Sequence, residues 1–393
     1  MQLSDLKQWV EQRKPEIEVT LRTLVDMNTY TANTAGVDAG MNVLSQLADD
    51  KKLSVQAINK RHRLIKCGDK AHKPRVLLIS HMDTVFPPDG DFLRYKALGN
   101  GFVRGPGVGD IKGGLVMGLW AMLALRDLFD SCDVQMIVSA NEEIGSPTLR
   151  DWYMNGHVGA DCAIGLEPGF PQGPLTPDVP LGVVYQRRGY GAIHFTVKGR
   201  AAHSGTPQLG LNAIEAAAQR ITRIHALNNP AQGISTTVGM ISGGISPNTI
   251  AGEVKSTVSW RFARLRDGEH VKAKIEKILS TSYVENRALK IKDRAEYDVD
   301  AFIPPMERND RNQELVDIVL EEAERLKQNV VPIARGGGSD ANFVSASGTA
   351  AICGMGAPAE GIHTQQETIY LPGLFERLEL LTATLYRIIR KRA

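Results

Sequence analysis

The amino-acid sequence predicts an α/β chain: a mixed, largely parallel sheet covered by helices, with a smaller α+β unit inserted near its middle. Three observations carry this. The runs at 75–80, 134–140 and 163–166 are apolar without alternation, as in strands buried on both faces. Helical periodicity alternates with these runs through the first half of the chain. After residues 170–180, which hold four prolines, the pattern changes to βαββαβ and later returns to its first form.

The elements follow in order. Leu3, Leu6, Trp9 and Val10 begin a helical stripe that Leu21, Leu24 and Val25 continue. Residues 41–47 predict a second helix and 75–80 the first central strand. Residues 112–129 open on glycines and turn apolar on all sides from Leu115 to Leu125, which predicts a buried helix. Residues 134–140 predict the next strand. In the inserted part, 189–198 alternates, and Ile214, Ala217, Ala218, Ile221 and Ile224 share one helix face. Strands are expected at 234–241 and 253–262, a second helix at 267–279 and a last strand at 288–291. That order fits a ferredoxin-like sandwich. A helix at 313–326, a strand at 330–334, a turn at 336–340 and a terminal helix at 374–389 complete the larger domain. The domains are therefore 1–185 with 296–393, and 186–295.

With 393 residues the chain exceeds the usual size of one hydrophobic core. The 46 basic and 44 acidic residues give a formal charge of +2, so nothing electrostatic calls for a nucleic acid or an anionic membrane. No apolar run approaches about 20 residues, so no membrane helix is expected. The first residues lack the basic and apolar segments of a signal peptide, which makes cytoplasmic residence the expectation. Cys67, Cys132, Cys162 and Cys353 form no Cys-x-x-Cys pair. They read as small buried thiols in a reducing compartment.

Ligand-type side chains recur just past the strands, at the sheet edge where α/β sites form. His81 and Asp83 share one side of an extended segment, so His81 suits a metal and Asp83 its other ring N–H. A loop histidine bonded to its neighbour is the simpler alternative. Asp110 lies among Gly105, Gly107, Gly109, Gly113 and Gly114, which permit positive φ or close approach. The segment lacks the Gly-Lys-Ser/Thr of a phosphate loop. It is either an acidic turn or a carboxylate placed to bridge two metals. Glu142 and Glu143 would repel each other unless a metal offsets one, leaving the other as general base. Glu167 precedes Pro168, and His363 lies in a polar loop after Gly354-Met-Gly356. Each is a weak signal alone, and a lone loop histidine is more often a surface residue than a ligand. Together, two histidines and several acids suit a divalent metal of the zinc type.

The joint pattern resembles a known family. The segments are His81-Met-Asp83-Thr-Val, Gly105-Pro-Gly-Val-Gly-Asp110-Ile-Lys-Gly-Gly114, Asn141-Glu142-Glu143-Ile-Gly-Ser146, Glu167-Pro168, Ala202-His203-Ser-Gly205, Asn248, Arg261-Phe262, Gly336-Gly-Gly-Ser-Asp340-Ala and His363. They stand in the order seen in the aminoacylase/glutamate-carboxypeptidase family of di-zinc hydrolases. The resemblance implies a zinc-exopeptidase-like catalytic domain with an inserted lid and dimerisation domain. It implies two Zn2+ per chain, with Co2+ or Mn2+ as substitutes. His81 and Glu167 would bind one metal, Glu143 and His363 the other, and Asp110 would bridge them. Asp83 would orient His81, and Glu142 would be general base, then general acid. His203 would reach the active site of the partner subunit in a homodimer and stabilise the oxyanion. Asn248 and Arg261 would hold the substrate, and Gly337 and Gly338 would offer backbone N–H groups to its carboxylate.

The substrate implied is a small peptide or N-acyl amino acid. The Glu167-Pro168 pair and the Gly336–Asp340 turn look nearest to the glutamate-carboxypeptidase branch, which releases a C-terminal amino acid, with glutamate one candidate. An N-acyl amino-acid deacylase or desuccinylase would use the same machinery. A non-catalytic metal-binding protein of the same fold is the alternative from another class. Against it, Glu142, Asp83 and all five proposed ligands are present.

Overall fold

The computed structural model describes residues 2–67, 76–129, 133–156 and 159–391. The chain forms two compact units: Met1–Gln186 with Arg308–Arg335 and Ser339–Ala393, and Arg187–Glu307 with Gly336–Gly338.

The first unit is built on a six-stranded sheet in the order Ser54–Ile58, His62–Lys66, Val134–Ser139, Val76–His81, Cys162–Gly165, Ala350–Ile352. Its first two strands pair antiparallel, as does His62–Lys66 with Val134–Ser139, and the other pairings are parallel. Val76–His81 is buried at every position, which explains its unbroken apolar run. The expected start of that strand, Arg75, lies outside the described residues. Ser54–Ile58 and His62–Lys66 were not anticipated, because short strands carrying Gln56, Arg63 and Lys66 show no apolar run.

The helix Gly114–Phe129 is buried at every residue from Gly114 to Leu125. It packs with the helices Leu3–Val25 and Leu371–Lys391 in one core, where Trp9 meets Trp120 edge-on at 6.0 Å. At its first residue a Cβ would sit 2.0 Å from the Leu166 carbonyl oxygen, so only glycine lets the helix start against the sheet. The stretch Val108–Phe129 is long and apolar enough to cross a bilayer, against the expectation of no such run, but it is buried at every residue from Val108 to Leu125. A small antiparallel sheet of Ala359–Glu360, Thr368–Tyr370, Phe102–Arg104 and Lys96–Gly99 brings the loop after Glu360 back against the segment Val108–Gly113.

The second unit is an antiparallel sheet in the order Ser235–Gly243, Glu253–Phe262, Gly189–Lys198, Arg294–Ile303. The helices Ala213–His225 and Leu265–Ser280 pack over one face. This is the ferredoxin-like order. The fourth strand is not 288–291, and the unit ends at Glu307 rather than 295. Residues 294–303 form an edge strand with mostly exposed side chains, so they read as polar chain rather than as sheet.

Cys162 and Cys353 are buried thiols, as read. Cys67 is disulfide-bonded, which corrects the reading of reduced thiols and removes that argument for a reducing compartment. A disulfide needs two Cα atoms brought close by the fold, and spacing along the chain does not reveal that. Cys132 lies outside the described residues.

Candidate metal centre and active site

His81 ends its strand with its side chain almost wholly buried. Its Nδ1 lies 2.9 Å from the Asp83 main-chain oxygen and 3.5 Å from Asp83 Oδ1. The close acceptor is thus the carbonyl, not the carboxylate expected from the sequence. The carboxylate is engaged elsewhere. It accepts the N–H groups of Glu142 at 2.9 Å and Glu143 at 3.2 Å, and the Thr31 hydroxyl at 2.8 Å. Asp83 therefore ties two neighbouring strand ends together. With Nδ1–H donated to a carbonyl, Nε2 is the nitrogen that faces the centre and would give its lone pair to a metal in place of a proton.

That Nε2 faces Asp110 Oδ1 at 3.4 Å, Glu142 Oε2 at 3.8 Å and Glu167 Oε1 at 3.9 Å. The other Asp110 oxygen lies 3.2 Å from His363 Nε2, which is 3.3 Å from Glu143 Oε2. Asp110 thus stands between the two histidines and turns one oxygen to each. Donor atoms of His81, Asp110 and Glu143, and of His81, Glu142 and Glu167, lie within 4.8 Å of one another. His81 Nε2 and Asp110 Oδ1 are buried without a hydrogen-bond partner. Buried polar atoms normally have partners. Two orphans converging among carboxylates fit a divalent ion, whose bonds to nitrogen and oxygen are about 2.0–2.2 Å.

The electrostatics agree. Burial opposes a charged His81, but Asp110, Asp83 and Glu142 outweigh it and hold its pKa well above the usual imidazole value. Burial would raise Asp110, yet His363 and His81 pull it below the ordinary carboxylate range. Asp110 and Glu143 raise His363 to about 10. Burial pushes Glu142 well above its normal range against His81, with Glu167, Asp340 and Glu143 adding. Glu143 is likewise raised by burial. Acids this crowded need a cation to stay ionised together.

The sequence reading missed what holds Asp110 in place. Gly107 takes φ 72°, and a Cβ there would lie 2.6 Å from Thr84 Cγ2. Glu367, fully buried, accepts the N–H groups of Gly109 at 2.8 Å and Asp110 at 3.0 Å. Burial, then Asp110, raises its pKa to about 8. Lys112, also buried, donates to the carbonyls of Met27 at 3.0 Å and Pro106 at 3.3 Å, and burial lowers its pKa to about 7. The Asp110–Ile111 peptide is cis. His363 itself takes a left-handed φ of 62°, uncommon for a non-glycine residue and typical of functional loops. Neither Glu367 nor Lys112 gave a local signal, because each acts through main-chain groups.

The remaining candidates belong to the second unit. His203 is exposed, and its Nδ1 accepts the Gly205 N–H at 3.0 Å, which leaves the proton on Nε2. The Ala202–His203 strand pairs with Thr249–Ile250, and Ser204 donates to the Asn248 carbonyl at 2.9 Å, so His203 and Asn248 are brought together. Arg261 lies over the Tyr190 ring at 4.3 Å, with Nη1 3.4 Å from the Gly336 oxygen. The carbonyls of Gly337 and Gly338 accept from Arg187 Nη1 at 3.1 and 3.2 Å. Arg187, unmentioned in the sequence reading, thereby fixes how this turn presents its N–H groups.

Residues 185–287 match the family model described as the peptidase dimerisation domain of M20. Carboxypeptidase G2 of Pseudomonas sp. is 25% identical over 378 residues, 90% of this chain and 84% of that protein. The matched segment and this relative make the chain similar to the M20 metallopeptidases. Solved structures agree on the M20 fold. Aminopeptidase PepT of Bacillus cereus superposes with a TM-score of 0.76 at 20% identity, covering 96% of this chain and 99% of that one. The M20 family metallo-carboxypeptidase Sso-CP2 of Sulfolobus solfataricus gives 0.74 at 18% identity, covering 94% and 98%. These likenesses mark the chain as a peptidase-type hydrolase, and its first unit holds candidate metal-binding groups.

Proposed function

We propose that the protein is a di-metal amide hydrolase that releases a C-terminal amino acid from small peptides or N-acyl amino acids. The observation that carries this reading is Asp110 set between His81 and His363, with Glu142, Glu143 and Glu167 around them. His81 and Glu167 would hold one ion, Glu143 and His363 the second, with Asp110 shared. Zn2+ suits these donors, and Co2+ or Mn2+ would substitute. Bound divalent ions supply Lewis acidity and lower the pKa of water at the centre. Glu142 accepts the proton of the attacking water and returns it to the leaving amine nitrogen. Its burial among like charges favours the proton-carrying form needed for the second step.

Arg261 and Asn248 recognise the carboxylate of the released amino acid, and the Arg261 fork suits that group. Similarity to carboxypeptidase G2 supports release from the C-terminal side. The test is a panel of C-terminal-glutamate peptides, simple dipeptides, and N-acetyl and N-succinyl amino acids, with metal content measured on the same sample. Chelator-sensitive cleavage with about two ions per chain is expected. Preference for the N-acyl compounds would transfer the assignment to a deacylase or desuccinylase. No cleavage at full metal loading would leave only a metal-binding role.

His203 of the partner subunit supplies Nε2–H to the oxyanion in a homodimer formed through the second unit. The match to a dimerisation domain supports this arrangement. His203→Ala should lower turnover on the order of 10²–10³-fold with metal content unchanged. Co-expressing His203→Ala with Glu142→Gln should restore activity, since one site per mixed dimer would be complete. Absence of recovery would place His203 outside the partner's site.

A further inference from the structure

The turn bearing Glu142 and Glu143 is held from two sides. Asp83 grips the N–H groups of both acids. Opposite stands His62, the first residue of its strand, with a fully buried side chain. Its Nδ1 lies 3.1 Å from the Ala140 nitrogen, and its Nε2 lies 2.9 Å from Thr148 Oγ1. A backbone N–H can only donate, so Nδ1 carries the lone pair and the proton sits on Nε2, given to Thr148. The same Thr148 oxygen accepts from Asn141 Nδ2 at 2.8 Å. One neutral imidazole thus joins the residue that enters the turn to the residue that leaves it. Within the turn, Ser146 N–H donates to the Asn141 carbonyl at 2.9 Å and Gly145 N–H to that of Glu142 at 2.6 Å. Burial lowers the His62 pKa to about 4, which keeps the ring neutral across the ordinary working range.

A buried imidazole is costly unless both nitrogens are satisfied, and packing alone would be served as well by an apolar residue. We propose that His62 is a positioning residue for the reaction: by accepting the Ala140 N–H it sets where the Glu142–Glu143 turn stands relative to His81 and Asp110. The effect on turnover rests on the proposed hydrolase reading. The effect on metal binding does not, because Glu143 rides on the same turn.

Three variants separate positioning from packing. His62→Phe keeps a planar aromatic ring, slightly larger than imidazole, and loses both hydrogen bonds. His62→Asn puts an acceptor where Nδ1 stood, and His62→Gln puts a donor where Nε2 stood. Turnover, KM, melting temperature and Co2+ affinity are measured for each. His62→Phe should lower kcat on the order of 10–100-fold while KM moves less than about twofold. His62→Asn should recover most of that loss and His62→Gln little of it. Wild-type kcat in His62→Phe would overturn the proposal, as would an Asn variant as slow as Phe at equal melting temperature. Should His62→Phe fail to fold, Thr148→Val removes the acceptor that fixes the ring proton, and the same loss confined to kcat is expected. Its absence would equally count against the role. A wild type that cleaves nothing would sink the hydrolase reading instead. Co2+ affinity then decides: on the order of tenfold weaker in His62→Phe and restored in His62→Asn, or unchanged and the proposal fails.

Discussion

Glu142→Gln is expected to lower turnover by about 10²–10⁴-fold and to leave metal content as in the wild type. Glutamine keeps the side-chain volume, and the main-chain bond from residue 142 to Asp83 does not depend on the side chain. What it removes is the atom that accepts a proton. The prediction is demanding because Glu142 Oε2 lies 3.8 Å from His81 Nε2, within 0.1 Å of the 3.9 Å that separates Glu167 from the same atom. Geometry alone therefore leaves two glutamates, besides Asp110, almost equally near one histidine nitrogen. Metal analysis divides their roles. Full metal with lost turnover makes Glu142 the base and Glu167 the ligand. A loss of one ion per chain makes Glu142 a ligand and moves the base elsewhere. Glu167→Gln is the mirror experiment and should lose metal first and activity as a consequence.

Much of this centre was legible because strand ends and site residues coincide in the sequence. Val76–His81 and Val134–Ser139 are adjacent in the sheet, and His81 pairs with Ser139, so two acids after one strand face a histidine ending the other. A continuous apolar run followed by a ligand-type side chain records that placement directly. What stayed hidden acts through main-chain groups or across long separations. Glu367 works by accepting two backbone N–H groups more than 250 residues away, and His62 by accepting one from Ala140. Neither role leaves a periodicity. Asp83 was recognised as a partner of His81, but its carboxylate serves the Glu142–Glu143 turn, since the nearer Asp83 carbonyl satisfies the ring. The strand Arg294–Ile303 was missed for the opposite reason. Its side chains are mostly exposed, and its place in the sheet rests on main-chain pairing with Gly189–Lys198.

Asp110→Asn is expected to have the widest consequence of any single change, lowering both metal content and stability in metal. The amide keeps the shape of the side chain, and the main-chain bond to Glu367 is untouched. One of its two oxygens becomes an NH₂ group, which cannot bind a cation. Asp110 turns one oxygen toward His81 at 3.4 Å and the other toward His363 at 3.2 Å, so the amide spoils one side whichever way it faces. Loss of the negative charge weakens the other. Binding to the native state alone stabilises by RT ln(1 + [L]/Kd), about 4 kcal/mol at a thousandfold excess over Kd. The wild type should therefore melt several degrees higher with Zn2+ than after chelation. Most of that increment should vanish in Asp110→Asn, with fewer than two ions bound and turnover below detection. The metal-free variant should melt lower than the metal-free wild type by less than that increment, because His81 and His363, which hold Asp110 below the ordinary carboxylate range, lose their shared anion. Glu143→Gln provides the contrast: it alters one side only, so one ion and part of the thermal increment should remain. Two ions and an undiminished increment in Asp110→Asn would mean that the carboxylate is not shared, and the assignment of Asp110 as the common ligand would fall with it.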